Sequence, residues 1–100
     1  GGGTKNFTSG NSSTVGGGAD NNSYCDFSTV SGGYYNESLG NYSTVGGGVL
    51  NTASGQRSFV GAGNVNRASG TDSVVVGGLN NLSSAGVESL ILDSRVMQSF

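Results

Sequence analysis

A fifteen-residue repeat constrains the fold of this chain more than any other feature of its sequence. The 100 residues divide without a gap into units such as GGGVLNTASGQRSFV and GAGNVNRASGTDSVV, whose columns we number from Gly1. Asn fills the sixth column, at Asn6, Asn21, Asn36, Asn51, Asn66 and Asn81. Val fills the fifteenth column, at Val15, Val30, Val45, Val60 and Val75. Repetition at a short fixed period is typical of solenoids, in which equal positions of successive coils stack.

The repeat also sets the expected domain organisation. We expect six coils, at 1–15, 16–30, 31–45, 46–60, 61–75 and 76–91. The sixth unit carries one extra residue near Ala85, so that Ile91 takes the place of Val in the fifteenth column. Residues 92–100 then form a partial seventh coil or a transition segment.

Each unit contains two stretches that alternate as short β-strands do. One covers columns six to nine, as in 51–54, and the other covers columns twelve to fifteen, as in 57–60. Columns six and eight share one face, and columns thirteen and fifteen share another, so Asn, small residues, Ser and Val face inward. Stacked Asn side chains can form hydrogen bonds from amide to amide along the axis. The pattern predicts an all-β parallel β-solenoid, with six coils spanning roughly 28 Å at about 4.8 Å per coil.

Glycine separates the predicted strands. Gly recurs in the tenth column and fills the third, where it is predicted to form turns, because it adopts positive φ at little steric cost. The turn glycines of the third column are Gly3, Gly18, Gly33, Gly48, Gly63 and Gly78.

The inward-facing residues make a thin apolar core. Val and Ala supply little buried area, and the free energy of folding depends on that area. A single slim rod of this composition therefore lacks apolar burial. We predict that the missing burial is supplied by homotrimerisation, or alternatively by covering at both ends of the rod.

Charge and residue types argue against several classes of function. The four basic residues are scattered along the chain, whereas a nucleic-acid surface needs them clustered. No apolar run has the length of a membrane span, His is absent, and Cys25 is the single cysteine, best interpreted as a packed thiol. We therefore expect no catalytic, metal or cofactor site, no nucleic acid and no membrane contact. Because the chain begins with Gly1 rather than Met, we interpret it as a fragment or a processed chain.

Other interpretations of the repeat are weaker. The glycine runs lack the Lys that follows in a phosphate loop, and the Asp residues fall in unrelated columns, unlike those of calcium-binding β-rolls. Ice binding needs a flat Thr column, which begins at Thr14, Thr29 and Thr44 but is broken by Phe59 and Val74. Asn-x-Ser/Thr sequons occur at Asn6, Asn11, Asn21, Asn36, Asn41 and Asn81. Glycosylation of the sixth column would require those Asn side chains to face outward.

The units at 46–60 and 61–75 resemble the head repeats of trimeric autotransporter adhesins, the YadA-like family, and related tail-fibre-like repeat proteins. The resemblance covers about residues 1–92, although Ser here replaces the first Val of the family's S-V-A-I-G motif in every unit. It implies a left-handed β-roll, a homotrimer and a role at the cell or virion surface, in adhesion or in fibre architecture.

We therefore expect an extracellular fibre or adhesin segment that acts as a rigid spacer and displays a binding surface. Five exposed aromatic residues are expected to cover neighbouring chains of a trimer or to lie singly on the surface, and the alternative is that they contact a host-surface protein or glycan receptor; they are Phe27, Tyr34, Tyr35, Tyr42 and Phe59. The alternative is a self-assembling extracellular filament, since exposed sheet edges pair readily. An ice-binding solenoid is the weaker rival.

Overall fold

Parallel strands stack into a β-solenoid in the computed structural model of the protein, which describes residues 3–83 and 90–91. Within these residues each coil contributes two strands of two residues each. The strands are β1 (Phe7–Thr8), β2 (Thr14–Val15), β3 (Asn22–Ser23), β4 (Thr29–Val30), β5 (Glu37–Ser38), β6 (Thr44–Val45), β7 (Thr52–Ala53), β8 (Phe59–Val60), β9 (Arg67–Ala68), β10 (Val74–Val75), β11 (Leu82–Ser83) and β12 (Leu90–Ile91).

The strands form two parallel sheets that face each other. The odd-numbered strands make one sheet, in the order β1-β3-β5-β7-β9-β11, and the even-numbered strands make the other. Equal columns pair throughout, as in Val30 with Val45 and Ser38 with Ala53. The predicted all-β fold, a parallel β-solenoid of fifteen-residue coils, is therefore confirmed.

The core is a narrow strip between the two sheets. Val30, Val45 and Val60 are fully buried, together with Ala53 and Ala68. The Asn of column six and the Ser of column thirteen share this interior from the second coil onward. The smallest extent of the Cα trace is 11 Å, close to the ~10 Å spacing of two facing sheets.

A third ladder, which the sequence did not predict, runs up one corner of the solenoid. Single residues of column four pair in parallel from coil to coil, as in Tyr34 with Val49 and Val49 with Asn64. The predicted four-residue strands are also too long, since only columns seven and eight and columns fourteen and fifteen are strand. Each coil is thus held to the next at three places.

Residues other than glycine occupy the left-handed corners. Columns five and twelve have φ between 55° and 61° throughout, including Leu50, Arg57 and Val65. This conformation costs an L-residue about 1–2 kcal/mol. It turns the N–H groups of Leu50 and Arg57 back to the preceding coil, where they donate to Tyr34 O and Asn41 O. The inter-coil hydrogen bonds offset the local cost.

The two glycine columns serve different purposes. Column three has positive φ in every coil, as predicted, with Gly48 at 89°. The interpretation of column ten as another positive-φ corner was wrong. A Cβ at Gly55 would instead lie 2.1 Å from the carbonyl oxygen of Gly70. Glycine in column ten therefore allows close approach between coils.

The sixth coil contains one residue more than the coils before it. Ser83 pairs with Ala68, fifteen residues earlier, whereas Ile91 pairs with Val75, sixteen residues earlier. The additional residue lies between these pairs, in the segment 84–89, which is outside the described residues. The predicted seventh coil or transition segment at 92–100 also lies outside them.

Candidate functional surfaces and the ladders behind them

The Asn ladder of column six ties each coil to its own corner and to the next coil. Asn51 Nδ2 donates to Gly47 O at 2.8 Å and to Gly63 O at 2.9 Å. Its Oδ1 accepts the backbone N–H of Asn66 at 2.9 Å. The same bonds recur at Asn36. The predicted amide-to-amide ladder was wrong in the central coils, where the amides bond to backbone.

Burial also decides how the sequons are presented. Asn21 and Asn36 are fully buried and Asn81 is 4 % exposed, so the fold leaves no room for a glycan at these side chains. Asn11 and Asn41, which belong to column eleven, are exposed. The Asn of column six faces inward, as the strand alternation predicted.

Buried hydroxyl groups connect the two sheets across the core. Ser38 Oγ and Ser43 Oγ lie 2.5 Å apart, and Ser43 Oγ also donates to Gly40 O at 2.6 Å. In the next coil Ala53 occupies the place of Ser38. Ser58 Oγ there is buried without a hydrogen-bond partner among the described residues.

This difference predicts opposite outcomes for two identical substitutions. Ser58→Ala should be neutral or should raise the free energy of unfolding by up to about 1 kcal/mol, because it removes an unpaired buried hydroxyl. Ser43→Ala should lower it by about 1–3 kcal/mol, because Ser38 loses its partner. Urea unfolding followed by circular dichroism measures both. Equal losses in the two variants would contradict the assignment of Ser58 as unpaired.

The turn edge, formed by column twelve, carries side chains that pair between coils. The rings of Phe27 and Tyr42 stack with centroids 5.1 Å apart and planes 6° apart. Arg57 Nε and Nη2 donate to the two carboxylate oxygens of Asp72 at 2.6 and 2.9 Å. In four successive coils, the side chain of the column-twelve residue, which has a left-handed backbone, therefore contacts the side chain of a neighbouring coil.

The Arg57–Asp72 pair gives stability a small dependence on pH. Hydrogen bonding from the Arg57 guanidinium, aided by its charge, holds the pKa of the Asp72 carboxyl below its usual value. A depressed folded-state pKa stabilises the fold above the unfolded Asp value of about 3.9, and this contribution is lost as pH falls through the folded value.

We expect the melting temperature of the wild type to exceed that of Asp72→Asn at neutral pH. The difference should shrink as pH falls below about 4, where the carboxylate becomes protonated, and also at high salt, which screens exposed charges. Asn is matched to Asp at this left-handed position. If the melting temperatures of the wild type and Asp72→Asn differ by the same amount from neutral pH to pH 2, the ion pair does not contribute to stability.

The corner ridge lies at the other junction between the sheets. We define it as the apolar side chains of columns four and five in the third to sixth coils, namely Tyr34, Tyr35, Val49, Leu50, Val65 and Leu79. Each is between 38 and 51 % exposed. The Tyr34 and Tyr35 rings meet edge to face, with centroids 4.6 Å apart. The ridge contains six of the thirteen large apolar side chains that are exposed among the described residues.

The five aromatic residues predicted as a contact surface lie in three places. Phe27 and Tyr42 are on the turn edge, Tyr34 and Tyr35 are on the corner ridge, and Phe59 lies on the outer face of the second sheet. The prediction treated these five residues as one surface because they are all aromatic. In the structure they belong to different columns and therefore lie on different parts of the solenoid.

The remaining candidate residues have simple environments. Cys25 is a free, half-buried thiol whose Sγ donates to Leu39 O at 2.8 Å. Thr14, Thr29 and Thr44 stack in register, and Phe59 follows directly in the same column. Within residues 3–83 and 90–91, no three His, Cys, Asp or Glu side chains converge as metal ligands. The described part of the chain also contains no helix with the length and hydropathy needed to cross a membrane.

The fold and its ladders define a β-solenoid repeat protein. No protein-family model matches the sequence, and no curated protein is significantly similar to it. The left-handed winding, the homotrimer and the surface role implied by the resemblance to adhesin heads therefore stay predictions.

Proposed function

We propose that this chain is a rigid structural segment of an extracellular or virion-surface fibre or adhesin, that it works as a homotrimer, and that it has no catalytic role. The proposal depends mainly on the unbroken hydrogen bonding between coils. At one end of the described stack, Thr4 N donates to Gly18 O. At the other end, Val76 N donates to Ile91 O, and backbone hydrogen bonds join the coils between them. A stack bonded in this way resists bending and gains length in proportion to the number of coils.

A spacer should tolerate changes in coil number but not in register. Deleting 46–60 removes one whole coil, so we expect a folded β-protein whose rod is shorter by about 4.8 Å. Small-angle X-ray scattering and circular dichroism measure length and fold. Deleting the eight residues 46–53 instead removes about half a coil, so the columns after the deletion no longer stack on those before it, and the stack should be interrupted there with a large loss of stability. Equal tolerance of both deletions would contradict a rod built from stacked columns.

Mass in solution tests the oligomer and separates it from its rivals. We expect light scattering and native mass spectrometry to give the mass of three 9.9 kDa chains over a wide concentration range. A monomer at every concentration would contradict the trimer. Mass that grows with concentration into fibres would favour the self-assembling filament, and inhibition of ice recrystallisation by a monomer would favour the ice-binding solenoid.

The turn edge is the surface that we propose for receptor contact, with a host-surface protein or a glycan as partner. Its Phe27 and Tyr42 side chains are 51 and 56 % exposed, and their stacking holds them in place. Replacing both with Ser should abolish binding to a glycan array or to host cells while the β-fold persists. Ser already occupies this column at Ser12, so the backbone accepts it.

A further inference from the structure

We infer that the corner ridge is the surface through which copies of this chain contact one another. The inference rests on the proposed oligomer and assigns its interface. It starts from the backbone of column five, which is left-handed in every coil. Asp20 and Asn80 are residue types that tolerate this conformation, whereas Leu50 and Val65 are not, and a β-branched residue there is an outlier.

On the turn edge, residues with the same left-handed backbone make side-chain contacts with neighbouring coils. Phe27 stacks on Tyr42, and Arg57 pairs with Asp72, so those left-handed residues gain contacts within the chain. On the corner ridge, Leu50 is 51 % exposed and Val65 is 44 % exposed. Their side chains combine an unfavourable backbone with apolar exposure. Inter-coil hydrogen bonds from Leu50 N and Val65 N already offset the backbone strain, and a covering partner would in addition bury these exposed apolar side chains.

The area of the corner ridge comes close to that of a small interface. Six side chains that are 38 to 51 % exposed offer at most on the order of 500 Å², taking for every side chain the ~200 Å² typical of an aromatic one. This lies near the upper end of the largest apolar patches on typical monomers, roughly 300–600 Å². It approaches the ~600 Å² per partner of the smallest specific interfaces.

Charge favours a second copy as the occupant. Columns four and five contain no ionisable group other than the Tyr hydroxyls in the third to sixth coils, so the matching surface should also be uncharged and apolar. An identical ridge satisfies this and has the same coil spacing. In a parallel symmetric arrangement, Lys5 of one copy lies about one coil, ~4.8 Å, along the axis from Asp20 of the next. These opposite charges favour the parallel register.

The double variant Leu50→Asn, Val65→Asn tests the inference. Asn prefers the left-handed conformation, so the unfolding midpoint of the isolated chain, measured at dilutions where copies are separate, should stay the same or rise. The dissociation constant for assembly, measured by sedimentation, should increase at least about tenfold, because apolar contacts are lost. The control Leu82→Asn, which changes a 56 % exposed side chain outside the ridge, should leave assembly unchanged.

Two failures can be told apart. If the double variant assembles as the wild type does, the corner ridge is not the interface, although the oligomer itself stands. If the wild-type chain is a monomer at every concentration, the oligomer in the proposed function is wrong and the interface is wrong with it.

Discussion

Replacing Asn51 with Ala should lower the free energy of unfolding by about 4 kcal/mol. The substitution leaves the buried N–H of Asn66 and the half-buried carbonyl oxygen of Gly47 without this partner, and it removes one of the two hydrogen bonds that Gly63 O accepts. Each such group costs about 1–3 kcal/mol when it loses its hydrogen bond inside a protein. Urea unfolding followed by far-ultraviolet circular dichroism measures the loss.

Two further variants separate the hydrogen bonds from side-chain size. Asn51→Asp keeps the shape of the side chain but replaces the Nδ2 donor by an oxygen facing two carbonyls, so it should destabilise at least as much as Ala at neutral pH. Asn64→Ala removes an exposed Asn from column four and should change stability by less than about 0.5 kcal/mol. Similar losses at Asn51 and Asn64 would show that the ladder is not specific to column six.

Gly48→Ala should destabilise the fold by about 2–5 kcal/mol. Gly48 has a φ of 89°, and a Cβ there would lie 2.2 Å from Gly63 O and 2.6 Å from Asn51 Nδ2. Gly63 O cannot move away, because it accepts hydrogen bonds from both Val49 N and Asn51 Nδ2. Backbone strain of about 1–2 kcal/mol adds to an overpacking cost of typically 1–3 kcal/mol.

The neighbouring glycine provides a matched control. A Cβ at Gly47 would meet nothing within 4 Å, and the residue does not have positive φ. Gly47→Ala should therefore be neutral or should stabilise by about 0.4–1 kcal/mol, since Ala restricts the unfolded chain. Thermal unfolding of both variants provides the comparison. A loss at Gly47 equal to that at Gly48 would mean that the corner differs from the described geometry.

Side-chain periodicity was enough to predict the coil and its register. The Asn and Val columns return every fifteen residues, and parallel pairing of equal columns follows from that spacing. Strand alternation also predicted which columns face inward, because side chains along a strand point alternately to opposite faces.

Main-chain hydrogen bonding was harder to predict. The column-four ladder joins residues as different as Tyr34, Val49 and Asn64, so no residue preference marks it. The left-handed corners at Leu50 and Val65 were also missed, since residue type argues against positive φ there. Backbone bonds to the preceding coil impose that conformation. The turn edge and the corner ridge could therefore be located only once the corners were known.

The exterior of this rod can diversify while its frame stays the same. Column twelve carries Ser12, Phe27, Tyr42, Arg57 and Asp72 on one backbone conformation, so a hydroxyl, an aromatic ring, a cation and a carboxylate are interchangeable there. Column six, in contrast, is Asn in every coil. Point substitutions can therefore change the chemical character of this edge without any compensating change in the interior.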